Sequence, residues 1–287
     1  MKRILLCTDG SIFARSSYEY AAWVARASEA AVDVLYVTDA RKKAAIEAQN
    51  FSGSLPAGAS QALLNQLVAL EREKAKLERE QAKLILQDAE RILTENGITT
   101  VEVLHETGYL LDYLHRLEVD AHLVILGKRG ETSEFAVGHL GSNVERIIRT
   151  SSKPCLITSA KFTSPKRLLL AYDGSSSSQK MLQFLIDSPV FKELAINIVT
   201  VAKSAEEETA IACIEEARQK AKLGGLEPIC QVIEGHPEVA IARYATDNDI
   251  DILMMGAYGH NRIRHLVIGS TTTQILQRIN LPVLLFR

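Results

Sequence analysis

The sequence predicts an α/β protein built as two tandem doubly wound parallel five-stranded sheets, Rossmann-like, with strand order 3-2-1-4-5 in each half. Three observations predict it. The chain repeats itself at long range, each repeat alternates short apolar runs with amphipathic stretches, and each places glycines where a strand hands over to a helix.

The repeat is visible as constant spacing. Asp9-Gly10-Ser11 recurs as Asp173-Gly174-Ser175 and Tyr36-Val37 as Thr200-Val201, both 164 residues on. Gly127-Lys128-Arg129-Gly130 recurs as Gly256-Ala257-Tyr258-Gly259 at 129, while Gly141-Ser142 and Pro154 recur as Gly269-Ser270 and Pro282 at 128. The drop in spacing places some 37 extra residues in the first half between Val37 and Gly108. Two homologous domains follow, expected at 1–160 and 161–287, the first carrying a helical insertion at about 45–82.

In chain order, strands are expected at Arg3–Thr8, Val32–Thr38, Thr100–His105, Ala121–Gly127 and Cys155–Ser159. Their counterparts are Arg167–Tyr172, Ala195–Val201, Pro228–Ile233, Asp251–Gly256 and Val283–Arg287. Most are continuous apolar runs, as parallel strands covered on both faces require. Helical patterns lie between them, Ser16–Glu29 and Pro237–Asn248 being clear examples. Inside the insertion, Leu63, Leu70, Leu77 and Leu84 recur every seven residues among helix formers and opposite charges, so one helix is expected from about Gln61 to Asn96, stopped by Gly97. Lys74 and Gln81 break the second apolar stripe. The leucines then serve either a coiled coil with a protein partner or a narrow ridge packed on the protein's own fold.

Composition narrows the function. A length of 287 residues suits two domains with a core each, and a net charge of -2 argues against nucleic acid as partner. No apolar run reaches the length of a membrane span, so no membrane partner and a cytoplasmic location are expected. Cys7, Cys155, Cys213 and Cys230 form no Cys-x-x-Cys pair and read as reduced core residues. His105, His115, His122 and His139 are scattered without metal-ligand spacing, so no metal site is expected.

In open parallel sheets the ligand crevice lies beyond the C-terminal strand ends where strand order reverses, here between the first and fourth strands. Asp173 ends the first strand of the second half and Gly256 its fourth, so residues 83 apart converge. A strand, a glycine loop and a helix start in that order cradle an anion: glycine lets backbone N–H groups approach, and the helix start adds donors and a positive dipole end.

These residues carry a resemblance. Asp-Gly-Ser after the first strand, Val at the end of the second, and Gly-x2-Gly-x9-Gly-Ser after the fourth resemble the universal stress protein family in its tandem two-domain form, over nearly the whole chain outside the insertion. Family members that bind ATP have this motif; members with a disturbed motif do not. The resemblance implies ATP, with Mg²⁺, chiefly in the second half. Asp173 would face the ribose, and Val201 would offer backbone groups and an apolar wall to adenine. Gly256 and Gly259 would allow close approach, while Gly269, Ser270 and Thr271 would donate to the β- and γ-phosphates. His236, after Gly235, is expected near the pocket as a ligand neighbour.

The first half departs from that pattern. Asp9, Val37, Gly127, Gly130, Gly141 and Ser142 are its weaker candidates, because its loop has ten residues rather than nine and carries Glu131 and Glu134 where phosphates would lie. Charges of like sign about 4 Å apart repel by about 4 kcal/mol at an effective dielectric near 20, which Lys128 and Arg129 offset in part.

No catalytic residues emerge, since there is no Gly-x4-Gly-Lys-Ser/Thr loop and no convergent general base. A nucleotide-dependent stress sensor or regulator is the leading expectation. The alternatives are a slow ATPase or autophosphorylating protein using Ser270 or Thr271 to Thr273, and an interaction scaffold with vestigial pockets. The last strands of the halves, Pro154–Ser159 and Pro282–Arg287, are expected to pair as a pseudo-dimer within one chain, a further homodimer staying open.

Overall fold

The computed structural model describes residues 1–39, 59–128, 140–257 and 269–287. The first half runs β1 (Arg3–Thr8), α1 (Ile12–Ser28), β2 (Ala31–Asp39), α2 (Ala59–Glu95), β3 (Val101–Gly108), α3 (Leu110–Leu117), β4 (Leu123–Gly127), α4 (Ser142–Thr150) and β5 (Cys155–Thr158). The second runs β6 (Arg167–Ala171), α5 (Ser176–Asp187), a 3-10 turn (Pro189–Phe191), β7 (Ala195–Ala202), α6 (Glu208–Leu223), β8 (Ile229–Glu234), α7 (Pro237–Asp247), β9 (Ile252–Gly256), α8 (Ser270–Arg278) and β10 (Val283–Phe286). Expected strands match within a residue or two, apart from β3, which runs on to Gly108. The helix expected from Ser16 starts at Ile12, because Gly10 at φ +72° turns the chain directly into it.

All ten strands form one sheet, in the order β3-β2-β1-β4-β5-β10-β9-β6-β7-β8. Each half has the expected 3-2-1-4-5 order with parallel pairing, and the halves join edge to edge through β5 and β10. That joint is antiparallel, with Val283 opposite Ile157, Leu284 opposite Leu156 and Leu285 opposite Cys155. Leu156 and Leu284 are themselves equivalent in the repeat, so a pseudo-twofold axis passes between them. The edge each half would otherwise expose is paired within the chain.

Alternation along the strands divides the core between the two faces. Ile4, Leu6, Leu156, Leu170 and Leu284 pack under α1, α2, α5 and α6. Leu5, Cys7, Cys155, Leu253 and Leu285 pack on the other face with the residues of α4, α7 and α8. Both clusters run through both halves, so β5 and β10 are buried on each side.

The long helix corrects one expectation and settles another. It spans 37 residues, about 55 Å, against 16 residues and about 24 Å for its counterpart α6. It ends as expected at Gly97: the Gly97 N–H bonds Thr94 O and the Ile98 N–H bonds Leu93 O, with Gly97 at φ +86° and Leu93 and Ile98 buried together. Gly225 and Leu226 repeat the same stop 128 residues on. From this anchor Ala82, Leu86, Ala89 and Leu93 align with Ala210, Ile214, Ala217 and Ala221, all buried. The last turns of α2 are therefore the fold's own second crossover helix, and the insertion lengthens it at its start. Leu70, Leu77 and Leu84 do not form an internal ridge, being 62%, 65% and 67% exposed, while the side chain of Leu63 lies outside what the structure describes. The buried stripe follows the 3.6-residue period instead of the heptad.

Candidate functional site

In the second half, β6 lies between β9 and β7, and both pairings are parallel. The register sets Leu170 opposite Met254 and Ala171 opposite Val199. Continued to the strand ends, this sets Val201 beside Asp173 and Gly256 beside Tyr172, at the C-terminal edge of three adjacent strands. Gly174, at φ +74°, turns the chain there, and Asp173 Oδ1 accepts from the Ser175 N–H at 3.0 Å. Ser175 then caps α5 by accepting from the Ser178 N–H at 3.2 Å.

The start of α8 is fastened to the same edge. Gly269 is its N-cap and has no side chain to cap the first turn, which carries no acidic residue. The Gly269 N–H donates to Ala257 O at 3.2 Å, and the hydroxyl of Thr272, only 2% exposed, reaches Gly256 O at 3.1 Å and Ala257 O at 3.3 Å. Ser270 is exposed and Thr271 half-exposed at this helix start. The structure thus brings Asp173, Val201, Gly256, Gly269, Ser270 and Thr271 to one edge of the sheet. Gly259 lies outside the described residues. His236 is the N-cap of α7 beyond β8, one strand further from the crevice than β7.

The first half repeats the frame with four differences. Asp9 Oδ1 accepts from the Ser11 N–H at 3.0 Å, Tyr36 pairs with Thr8 so that Val37 stands beside Asp9, and Gly127 is level with Thr8. Gly141 is the N-cap of α4 and its N–H reaches Lys128 O at 3.4 Å. However, Val144 stands where the second half has Thr272, so the hydroxyl that ties the start of α8 to Gly256 has no counterpart at this position. Glu145 puts a carboxylate in the first turn of α4. Ser11 does not cap α1, and its buried hydroxyl has no partner among the described residues. Finally, Ile85 of α2 crowds Gly10: a Cβ there would stand 2.3 Å from Ile85 Cδ1, whereas at Gly174 it would stand 3.2 Å from Cys213 Sγ. Ser142 starts α4; Gly130, Glu131 and Glu134 lie outside the described residues.

Glu145 and the anchoring role of Thr272 are what sequence reading passed over. Both were marked by the repeat, since Thr272 faces Val144 and Glu145 faces Thr273 at the common offset of 128. Of the thiols, burial pushes Cys7 and Cys155 up from about 9 to about 12, so both stay neutral in the core. Among the described residues no group of His, Cys, Asp or Glu side chains is arranged to hold a metal ion, and no helix is long and apolar enough to cross a membrane.

Comparison with known proteins fits this architecture. The family model described as "Universal stress protein family" matches twice, over residues 1–159 and 165–287. "Universal stress protein Slr1230" of Synechocystis sp. is 52% identical over 287 residues, covering 100% of both chains. The crystal structure of a universal stress protein from Archaeoglobus fulgidus superposes with a TM-score of 0.74 at 20% identity, covering 99% of this chain and 97% of that one. A putative universal stress protein from Pseudomonas aeruginosa does so at 0.62 and 16% identity, covering 99% and 92%. With both halves matched by the family model and a full-length relative at this identity, the chain belongs to the universal stress protein family.

Proposed function

We propose that the second half, residues 161–287, is a nucleotide-binding domain taking an adenine nucleotide, ATP with Mg²⁺, and that occupancy stabilises one conformation of a stress-response regulator. The observation that carries this is the fastened start of α8: a glycine N-cap and a first turn without acids, held to Gly256 and Ala257 beside Asp173 and Val201. A helix start of this kind meets phosphate oxygens with backbone N–H groups and a positive dipole end. Ser270 and Thr271 would hold the β- and γ-phosphates, Gly269, whose N–H is taken by Ala257 O, would leave room for their approach, Asp173 would accept from ribose hydroxyls, and Val201 would wall the adenine. Mg²⁺ would be carried largely by the phosphates, as that ion prefers.

The first domain, residues 1–160, is the weaker binder in this reading, because Val144, Glu145 and Ile85 each remove part of the cradle. Titration of ATP with Mg²⁺ tests the assignment. Gly269→Asp sets a side chain and a negative charge where backbone must meet phosphate and should abolish detectable binding, while Gly141→Asp should change little. Unaltered affinity in folded Gly269→Asp, or a larger loss in Gly141→Asp, rejects it. Product formation followed over hours separates this binder from the slow-ATPase alternative.

A second reading rests on the exposed Leu70, Leu77 and Leu84 of α2. Ile85 meets Gly10 at the end of β1, so the preceding turns run past the strand ends on the crevice side. Such an arm suits protein docking, including self-association. Sedimentation of the parent against Leu70→Ser/Leu77→Ser/Leu84→Ser tests self-association, which fails if both proteins sediment as the same monomer.

A further inference from the structure

The helices whose starts form the two candidate sites are each gripped at their far ends by a cation from the opposite half. Lys128 Nζ donates to Ile279 O, the C-cap carbonyl of α8, at 2.6 Å. Arg287 Nη1 donates to Arg149 O, in the last turn of α4, at 3.2 Å. The two grips are not copies of one another. Lys128 is equivalent to Ala257, whose side chain reaches nothing comparable, and Arg287 is equivalent to Ser159.

Both gripping residues are also joined to the glycine framework of their own half. Lys128 follows Gly127, and its carbonyl accepts from Gly141, the start of α4. Arg287 follows Phe286, whose carbonyl accepts from the Ala257 N–H at 2.7 Å, and Ala257 in turn holds Gly269, the start of α8. A hydrogen-bonded route therefore leads from the start of α4 through Lys128 to the end of α8. A second leads from the start of α8 through Ala257, Phe286 and Arg287 to the end of α4. A cation at a helix end stabilises the helix and complements its dipole, and a helix packed between fixed ends transmits a small shift of one end to the other.

We propose that Lys128 and Arg287 are positioning residues that couple the two crevices across the β5–β10 joint, so that a change at one helix start alters the order of the other. The proposal rests on the nucleotide reading only for its natural trigger, since the linkage itself belongs to the unliganded chain.

Amide hydrogen exchange tests it in the parent, Lys128→Met and Lys128→Arg, each shown to fold by circular dichroism. With ATP and Mg²⁺ added, exchange should slow at the start of α8 and also at Gly141 and the first turn of α4. Lys128→Met should keep the first effect and lose the second. Lys128→Arg, which keeps a cation, should restore it. Affinity for ATP should fall about two- to five-fold in Lys128→Met, the size of a helix-end charge effect.

Slowing at α8 with no response at α4 in the parent overturns the coupling while leaving nucleotide binding intact. If ATP changes exchange nowhere, the nucleotide reading fails, and the linkage is decided by Gly141→Asp without ligand. That variant should alter exchange in α8 only when Lys128 is present. An equal response in the Lys128→Met background overturns the proposal.

Discussion

Thr272 offers a direct way to measure how firmly the candidate site is built. Its hydroxyl has one proton, shared between Gly256 O at 3.1 Å and Ala257 O at 3.3 Å, and the side chain is 2% exposed. Thr272→Val keeps the shape and deletes the bond. Ala257 O keeps the Gly269 N–H, so the loss falls chiefly on Gly256 O. One buried hydrogen bond is worth about 0.5 to 1.5 kcal/mol net, which lowers the melting temperature of a domain of this size by a few degrees. Were that energy spent on holding the helix start against the strand end, ATP affinity would fall by up to about ten-fold. Thermal unfolding and titration calorimetry read the two effects separately. Thr272→Ser, which retains the hydroxyl, should stay close to the parent in affinity. The reasoning is wrong if Thr272→Val matches the parent in both measurements, or if Thr272→Ser loses affinity as fully as Val does.

Two further predictions follow from burial. Leu86→Ala should cost about 2 to 5 kcal/mol, because Leu86 lies in the core, whereas Leu77→Ala at 65% exposure should shift stability by less than about 0.5 kcal/mol; denaturant midpoints of the two variants check the contrast. Cys7 and Cys155 should resist alkylation at pH 8 in the folded protein while the half-buried Cys213 and Cys230 react first, as peptide mapping would show. Their raised folded-state pKa also sets a direction: the stabilisation is complete below the unfolded value near 9 and is lost as pH rises toward 12, so midpoints should fall over that window and not below it.

Much of this fold is legible in the chain because duplication supplies an internal comparison. A run such as Leu168-Leu169-Leu170 would be ambiguous alone, but it stands at the same place relative to Asp-Gly-Ser as Ile4-Leu5-Leu6 does. The strand order and the convergence of Asp173 with Gly256 follow from handedness rules that leave few arrangements. The long helix misled for a physical reason. A seven-residue leucine spacing drifts steadily around a straight 3.6-residue helix, so it selects a supercoiled seam and not the face a single helix lays on a sheet. Ala82 and Ala89 carry that packing, and small residues leave a weak hydropathy signal. The role of Thr272 was hidden similarly, since a threonine at a helix start reads as a cap until the strand end it touches is known.

The two halves, read residue against residue, argue that duplication was followed by divergence at the crevice and in the length of the second helix, while the sheet frame was kept. The frame is nearly identical: both helix starts carry a glycine N-cap, both Asp-Gly-Ser turns close on the aspartate at 3.0 Å, and both second helices end in the same glycine stop. The differences gather where a ligand would sit. Val144 replaces a hydroxyl, Glu145 adds a charge and Ile85 replaces a cysteine against the turn, each acting against phosphate or close approach. If the first half were drifting without constraint, its core would be expected to loosen as its crevice did. Instead Ile4, Leu5, Leu6, Val124 and Ile125 are fully buried and shared with the second half across β5 and β10. The antiparallel joint supplies the reason: the first half completes the sheet edge and contributes Lys128 to the end of α8. On the proposed reading, the half with the weaker cradle still bears on the one beside it.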